Sequence, residues 1–268
     1  MEKSTKLGFI GCGKMASAII SGCLASGNFL KENIFASEIN ETARELAHKN
    51  SGISIYNNNI DVAKNADVII FCVKPFVIKD VLAQVASYIT KEKLIISIAA
   101  GIKIQTIKEF IPNAKIIRVM PNTPAMVKEG ISAICPDSNI DENSKNTAKM
   151  IMNSVGETVF TDEKYIDIIT ALSGSGPAYY YKIIDDMAKS AAKMGLDYDI
   201  ALRLSAQTAV GSGKMILKSG IDPKTLIKNV TTPGGCTEIG NKVLDNSDIT
   251  KILNETIFET AKKAKELG

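Results

Sequence analysis

The 268-residue chain is 45% apolar and 23% charged, with 19 Gly and 8 Pro, a composition that excludes disordered, collagen-like and coiled-coil proteins. Lys and Arg number 32 against 29 Asp and Glu, for a net charge of +3, and the only arginines are Arg44, Arg118 and Arg203; guanidinium forks this scarce argue against nucleic acid as a partner. No stretch approaches the roughly 20 apolar residues of a membrane span, the opening residues lack a signal-peptide pattern, and five scattered cysteines without a C-x-x-C pair fit free thiols in a reducing compartment, so a cytoplasmic address is expected.

Along the chain, Leu7 to Ile10 is the first expected strand. Behind it, Ala16, Ile19, Ile20, Cys23 and Leu24 recur at helical spacing and lay one apolar stripe along a helix that Gly27 ends. Further strands are expected at Ile34–Ser37, Val68–Val73, Leu94–Ile98 and Ile116–Met120, with weaker ones at Ile131–Ile134 and Thr158–Phe160. Runs apolar on both faces, such as Val68 to Val73, suit central parallel strands covered on each side by crossover helices. After Phe160 the strand signal ends. Helices are expected over Tyr165–Ala171, Pro177–Met194, Ile200–Lys218, Pro223–Val230, Thr237–Leu244 and Ile249–Leu267, with breakers at Gly195, Gly220 and Pro233-Gly234-Gly235 where helices should stop. The boundary between the halves is expected near Thr161.

Two segments point to chemistry. Gly11-Cys12-Gly13-Lys14-Met15-Ala16 is G-x-G-x-x-A directly after a strand and opening a helix, the context of a Rossmann-type dinucleotide cradle. Gly11 permits the tight turn, Gly13 lets a pyrophosphate approach the backbone, and Ala16 allows close helix–strand packing. At the end of the second strand, Glu38 suits a ribose 2′-hydroxyl, whereas Ser37 with Lys74 or Arg44 suits a 2′-phosphate, leaving NADH and NADPH both open. The later strand exits, Val73-Lys74-Pro75, Ile98 to Gly101 and Met120 to Pro124, should line the same crevice.

In the helical half, Ser173 to Tyr179 and Val230 to Thr237 are glycine-rich and precede helices. Amides at Gly234, Gly235, Cys236 and Thr237 form an anion cradle able to hold a small carboxylate without an arginine. The Thr237 hydroxyl can at once cap its helix and hydrogen-bond a substrate nitrogen, and Ser175 suits either an N-cap or a polar contact. The single histidine, His48, falls in the last turn of a helix, where the dipole accounts for it. Imidazole chemistry and His-rich metal sites are therefore not expected, and no metal is assigned. Hydride addition to an imine fits, because a protonated imine carries its own proton, whereas a carbonyl needs a positioned acid.

These motifs, together with Arg118-Val119-Met120-Pro121-Asn122-Thr123-Pro124 and Ala99-Ala100-Gly101, resemble the pyrroline-5-carboxylate reductase family from end to end. Asn241 departs from the family pattern, which has an aliphatic residue there. The resemblance implies an α/β Rossmann-type N-terminal domain over residues 1–160 and an all-α C-terminal dimerisation and substrate domain over 161–268. It implies NAD(P)H-dependent reduction of 1-pyrroline-5-carboxylate to L-proline, with NADPH the common reductant and NADH possible. Matched residues place Gly11, Cys12, Gly13, Lys14, Met15, Ser37, Asn59, Val73, Lys74, Pro75, Ala99, Ala100, Asn122 and Asn229 around the nucleotide. The substrate would meet Ser175, Thr232, Gly234, Gly235, Cys236 and Thr237, with Thr237 the catalytic residue facing the ring nitrogen. Homodimers assembling into a larger ring are implied as well.

Two other readings compete. A β-hydroxyacid dehydrogenase would use a lysine on the first long helix, for which Lys182 is the candidate although its spacing fits a solvated face. A nucleotide-binding protein without turnover is the non-enzymatic alternative.

Overall fold

Runs of Leu, Ile, Val and Phe too short for helices form the interior of the computed structural model, which describes residues 4–267. Strands β1 (Leu7–Ile10), β2 (Ile34–Ser37), β4 (Val68–Phe71) and β5 (Leu94–Ser97) are buried at every position. Their side chains alternate between two cores. Leu7, Phe9, Ile70 and Ile96 pack with Ile19 and Cys23 of α1 (Lys14–Ser26) and Ile151 of α6 (Glu142–Asn153). Ile10, Ile69, Phe71 and Ile95 meet Val62, Leu82 and Ile107 on the other face. Covering both faces removes the polar alternation of a half-exposed strand, so the sequence reads as solid apolar runs.

The sheet has eight strands in the order β3-β2-β1-β4-β5-β6-β7-β8. Helices α2 (Glu41–Ser51), α3 (Asn59–Asn65), α4 (Ile78–Val85) and α5 (Ile104–Lys108) occupy the crossovers. Strand order reverses between β1 and β4, creating the crevice where ligands bind in open α/β sheets. Two features were not anticipated. β3 (Ser54–Tyr56) is a short, half-exposed strand that pairs with β2 at the sheet edge. β7 (Gly130–Pro136) runs antiparallel to β6 (Lys115–Met120), with Met120 opposite Ala133. The run of parallel strands expected as far as Phe160 is corrected there, because the Pro121–Glu129 connection is too short for a crossover helix. β8 (Gly156–Phe160) pairs parallel with β7. It begins at Gly156, whose φ of 149° and proximity to Gly130 leave no space for a side chain, an added Cβ lying 2.0 Å from the Gly130 oxygen.

The chain divides into two compact units, residues 4–175 with 259–267 and residues 176–258. By contacts the first unit extends to Ser175, because Ile166 of α7 (Ile166–Ile169) is buried against Ala133 and Cys135 of the sheet. The second unit is helical: α8 (Gly176–Lys193), α9 (Tyr198–Ser219), α10 (Pro223–Val230), α11 (Cys236–Asp245) and the start of α12 (Ile249–Glu266). Each expected helix is present to within two residues or so. Among the described residues, no helix is long and apolar enough to cross a membrane.

Candidate active site

Loops after β1, β4, β5 and β6 line a cleft of about 620 Å³. β1 supplies Gly13, Lys14 and Met15, and β4 supplies Cys72, Val73, Lys74 and Pro75. β5 brings Ala99 and Ala100, and β6 brings Met120, Pro121 and Thr123. Gly11 turns with φ 89° while its N–H donates to the Ser37 carbonyl at 3.0 Å; a Cβ there would lie 3.2 Å from the Cys72 carbonyl. At Gly13 a Cβ would meet nothing within 4 Å, so the turn is open on that side. Gly13 is the N-cap of α1 and provides no side-chain cap, which leaves first-turn N–H groups aimed outward. Lys14 and Lys74 are exposed beside them. This arrangement fits a dinucleotide pyrophosphate.

Other residues assigned to the nucleotide lie differently. Ser37 is fully buried and donates its hydroxyl to Asn59 Oδ1 at 2.8 Å, while Asn59 Nδ2 donates to Gln84 at 2.8 Å. Both side chains are thus engaged with protein. Asn122 is buried, and its Oδ1 accepts the Ile131 N–H at 3.0 Å, bracing the β6–β7 connection. Cys12 is buried behind the turn. Asn229 is exposed on α10 of the helical unit. Glu38, by contrast, reaches the turn: Oε2 accepts the Cys12 N–H at 3.3 Å and Oε1 accepts the Asn40 N–H at 3.1 Å.

Met120 and Thr123 line the cleft as the strand exit predicts, and Met126 joins them without having been singled out; its place just beyond a strand's carboxyl end was the available signal. Arg118 is buried and pairs with Glu163 at 3.0 Å, and the same Glu163 oxygen accepts the Ile104 N–H at 2.8 Å. It therefore braces the sheet and does not face a ligand. Burial pushes the Cys12 and Cys72 thiols up, so both are neutral near pH 7. Among the described residues, all five cysteines are free and no metal-ligating cluster forms.

A second candidate site stands at the start of α11. Gly235 is its N-cap, which places exposed Thr237 at the second helical position and corrects the expectation that it caps the helix. The carboxylate of Glu238 reaches back instead, accepting the Gly234 N–H at 2.6 Å in a variant of the capping box. Lys242 pairs with Glu238 at 2.8 Å; this contact and the Gly234 N–H hold the Glu238 carboxyl below its usual range. The Gly235 N–H donates to the Thr232 carbonyl at 2.9 Å. Two of the four amides expected in the cradle are thus engaged, leaving those of Cys236 and Thr237 in the first turn. Asn241 Nδ2 donates to Thr231 Oγ1 at 3.1 Å, which ties the turn to α11.

Ser175 has helical φ and ψ of −89° and −21°, and its N–H donates to the Thr170 carbonyl at 2.8 Å. It belongs to a π-type turn over Thr170–Gly174, not to an N-cap. The absent side chain of Gly174 lets the Met120 methyl of the cleft approach, an added Cβ lying 2.5 Å from it. Lys182 is exposed and paired with Asp186 at 2.8 Å, a solvated face. His48 Nδ1 bonds the Ile53 carbonyl at 2.7 Å beyond the end of α2.

The crevice, the open glycine turn and the strand order define a dinucleotide-binding α/β domain of the oxidoreductase type. The profile described as pyrroline-5-carboxylate reductase dimerisation matches residues 163–267, and that described as NADP oxidoreductase coenzyme F420-dependent matches residues 6–101. The chain is 37% identical to the pyrroline-5-carboxylate reductase of Glycine max, with 99% of this chain and 97% of the relative covered. It is also 37% identical to that of Methanosarcina acetivorans, with 99% of each covered. A solved reductase from Coxiella burnetii superposes with a TM-score of 0.93 at 32% identity, over 99% of both chains. One from Plasmodium falciparum with NADP bound gives 0.88 at 33% identity, again over 99% of both. The chain belongs to the pyrroline-5-carboxylate reductase family.

Proposed function

We propose that this chain reduces the imine of 1-pyrroline-5-carboxylate to L-proline, the last step of proline biosynthesis, using NAD(P)H. Kinship over the whole chain supports the reaction. The observation that carries the substrate class is the turn before α11, where a Gly234 amide already grips a carboxylate, that of Glu238, at 2.6 Å.

Residues 1–160 serve as the nucleotide domain and 161–268 as the dimerisation and substrate domain. Gly11 and Cys12 shape the turn, and Gly13, Lys14 and Met15 hold the pyrophosphate through first-turn amides and the helix dipole, with Lys74 adding positive charge. Val73, Pro75, Ala99 and Ala100 provide a small-residue wall against a flat ring, and Asn122 fixes that wall from behind. Ser37 and Asn59 support the adenosine end from within the core, and Asn229 is also assigned to the nucleotide. The bound reduced nicotinamide supplies the hydride accepted by the imine carbon. The turn of Thr232, Gly234, Gly235 and Cys236 seats the substrate carboxylate on the first-turn amides and, once Glu238 releases it, on that of Gly234; Ser175 adds a polar contact, and the Thr237 hydroxyl orients the ring nitrogen. Positioning does most of the work; the substrate brings its own proton, so neither imidazole nor thiolate is required.

The reading includes a homodimer built on the helical domain, assembled further into a ring, in the cytoplasm. Exposed Leu204, Ile216 and Leu217 on α9 support the dimer. Cofactor oxidation followed optically tests the reaction: rapid oxidation is expected with pyrroline-5-carboxylate and none with the 3-oxo acids that a β-hydroxyacid dehydrogenase would reduce. Oxidation with the 3-oxo acids alone would defeat the proposal.

A further inference from the structure

The nucleotide cradle has a built-in charge at its adenosine end. β1 and β2 pair so that Ile10 faces Ser37, and the Gly11 amide bonds the Ser37 carbonyl at 3.0 Å. The residue after Ser37 therefore stands at the rim of the glycine turn, where the adenosine ribose lies in this class of fold. That residue is Glu38. Its own N–H is fixed to the Tyr56 carbonyl of β3 at 3.0 Å. Its carboxylate is held through both oxygens, by the Cys12 N–H at 3.3 Å and the Asn40 N–H at 3.1 Å.

We propose that Glu38 selects against a 2′-phosphate, so that this enzyme binds NADH more tightly than NADPH, reversing the order implied by the family resemblance. A fixed carboxylate at that rim accepts hydrogen bonds from the ribose 2′- and 3′-hydroxyls, whereas a 2′-phosphate brings like charge against it. Two of the groups that would compensate a phosphate, Ser37 and Arg44, are engaged with protein, and the third, Lys74, lies beyond β4 on the cleft with Gly13. Ser37 is wholly buried and donates to Asn59 at 2.8 Å. Arg44 spends Nη1 on the main-chain carbonyls of Glu38 at 3.1 Å and Ile39 at 3.3 Å. Acidic Glu41 opens α2 three residues further along the chain than Glu38.

The inference rests on the reading of the glycine turn as a dinucleotide site, and its test needs no imino acid. The full-length protein is titrated with NADH and with NADPH, and binding is followed by nicotinamide fluorescence. The wild type is expected to bind NADH about tenfold or more tightly than NADPH, the scale of one close like-charge contact near a surface. E38Q keeps an acceptor for the Cys12 amide but removes the charge, and is expected to narrow the ratio about tenfold by tightening NADPH. E38A should narrow it too, with weaker NADH binding. NADPH bound as tightly as NADH by the wild type, or a ratio unmoved in both variants, overturns the proposal. Failure to bind either nucleotide would instead overturn the dinucleotide reading beneath it.

Discussion

Glu238 supplies the sharpest consequence for a single residue. Its carboxylate occupies the Gly234 amide at 2.6 Å, on the same turn proposed to receive the substrate carboxylate. An internal anion there competes with the external one. Glu238→Ala is expected to lower KM for pyrroline-5-carboxylate several-fold in steady-state assays, while weakening the start of α11. An unchanged or raised KM would show that the substrate carboxylate lies elsewhere. The sequence made the glycine turns legible because G-x-G-x-x-A after a strand has few other uses. It did not show that Ser37, Asn59 and Asn122 are buried and bonded to protein, because a small polar residue beside a site looks the same whether it faces the ligand or a buried partner. Glu238 was missed altogether: a side chain four residues from Gly234 can point to solvent or back along its own helix, and only the helix start at Cys236 decides which.

At the scale of elements, burial made the parallel strands easy to locate, and the same logic explains the misses. β3 has only three residues, none of them buried, so it lacks the apolar run that marked its neighbours. The direction of β7 depended on the length of a connection, not on its own composition. α6, which covers one core, depends on a charged cap. Asp141 accepts the Ser144 N–H at 2.9 Å and pairs with Lys115 at 2.8 Å, and these contacts, the lysine first, hold its carboxyl far below the usual range. A carboxylate whose folded pKa is depressed stabilises the protein above its unfolded pKa and loses that contribution as pH falls towards the folded value. Asp141→Ala is therefore expected to cost about 1 kcal/mol at pH 7, read as a lowered denaturant midpoint. The gap to wild type should shrink progressively below about pH 4, the unfolded value. A gap independent of pH would mean that packing, not the ionised cap, accounts for the loss.

Across the molecule, the two units differ in how far each buries its own apolar surface. The sheet unit has two continuous cores, whereas the 22-residue α9 buries only Ala201 and α10 and α11 bury nothing. Leu204, Met215, Ile216 and Leu217 are half or more exposed, and each large apolar side chain withdrawn from water contributes about 1.5–3 kcal/mol. A second copy is the economical cover for such helices. Leu204→Asp is expected to shift the protein to a smaller species in light scattering and to abolish most turnover; an intact assembly with full activity would separate this face from the dimer contact. The helical character of this half was legible in its periodicity, but the packing of Ile166 against Cys135 was not, since it is a long-range contact. The account as a whole requires the turn of the helical unit to act in a reaction whose reductant binds the sheet unit. Measuring turnover and nucleotide dissociation constants together for Thr237→Ala tests this most directly. Turnover is expected to fall about 10- to 100-fold, the scale of one hydrogen bond to a charged group, with nucleotide affinity unchanged; wild-type turnover in that variant would contradict it.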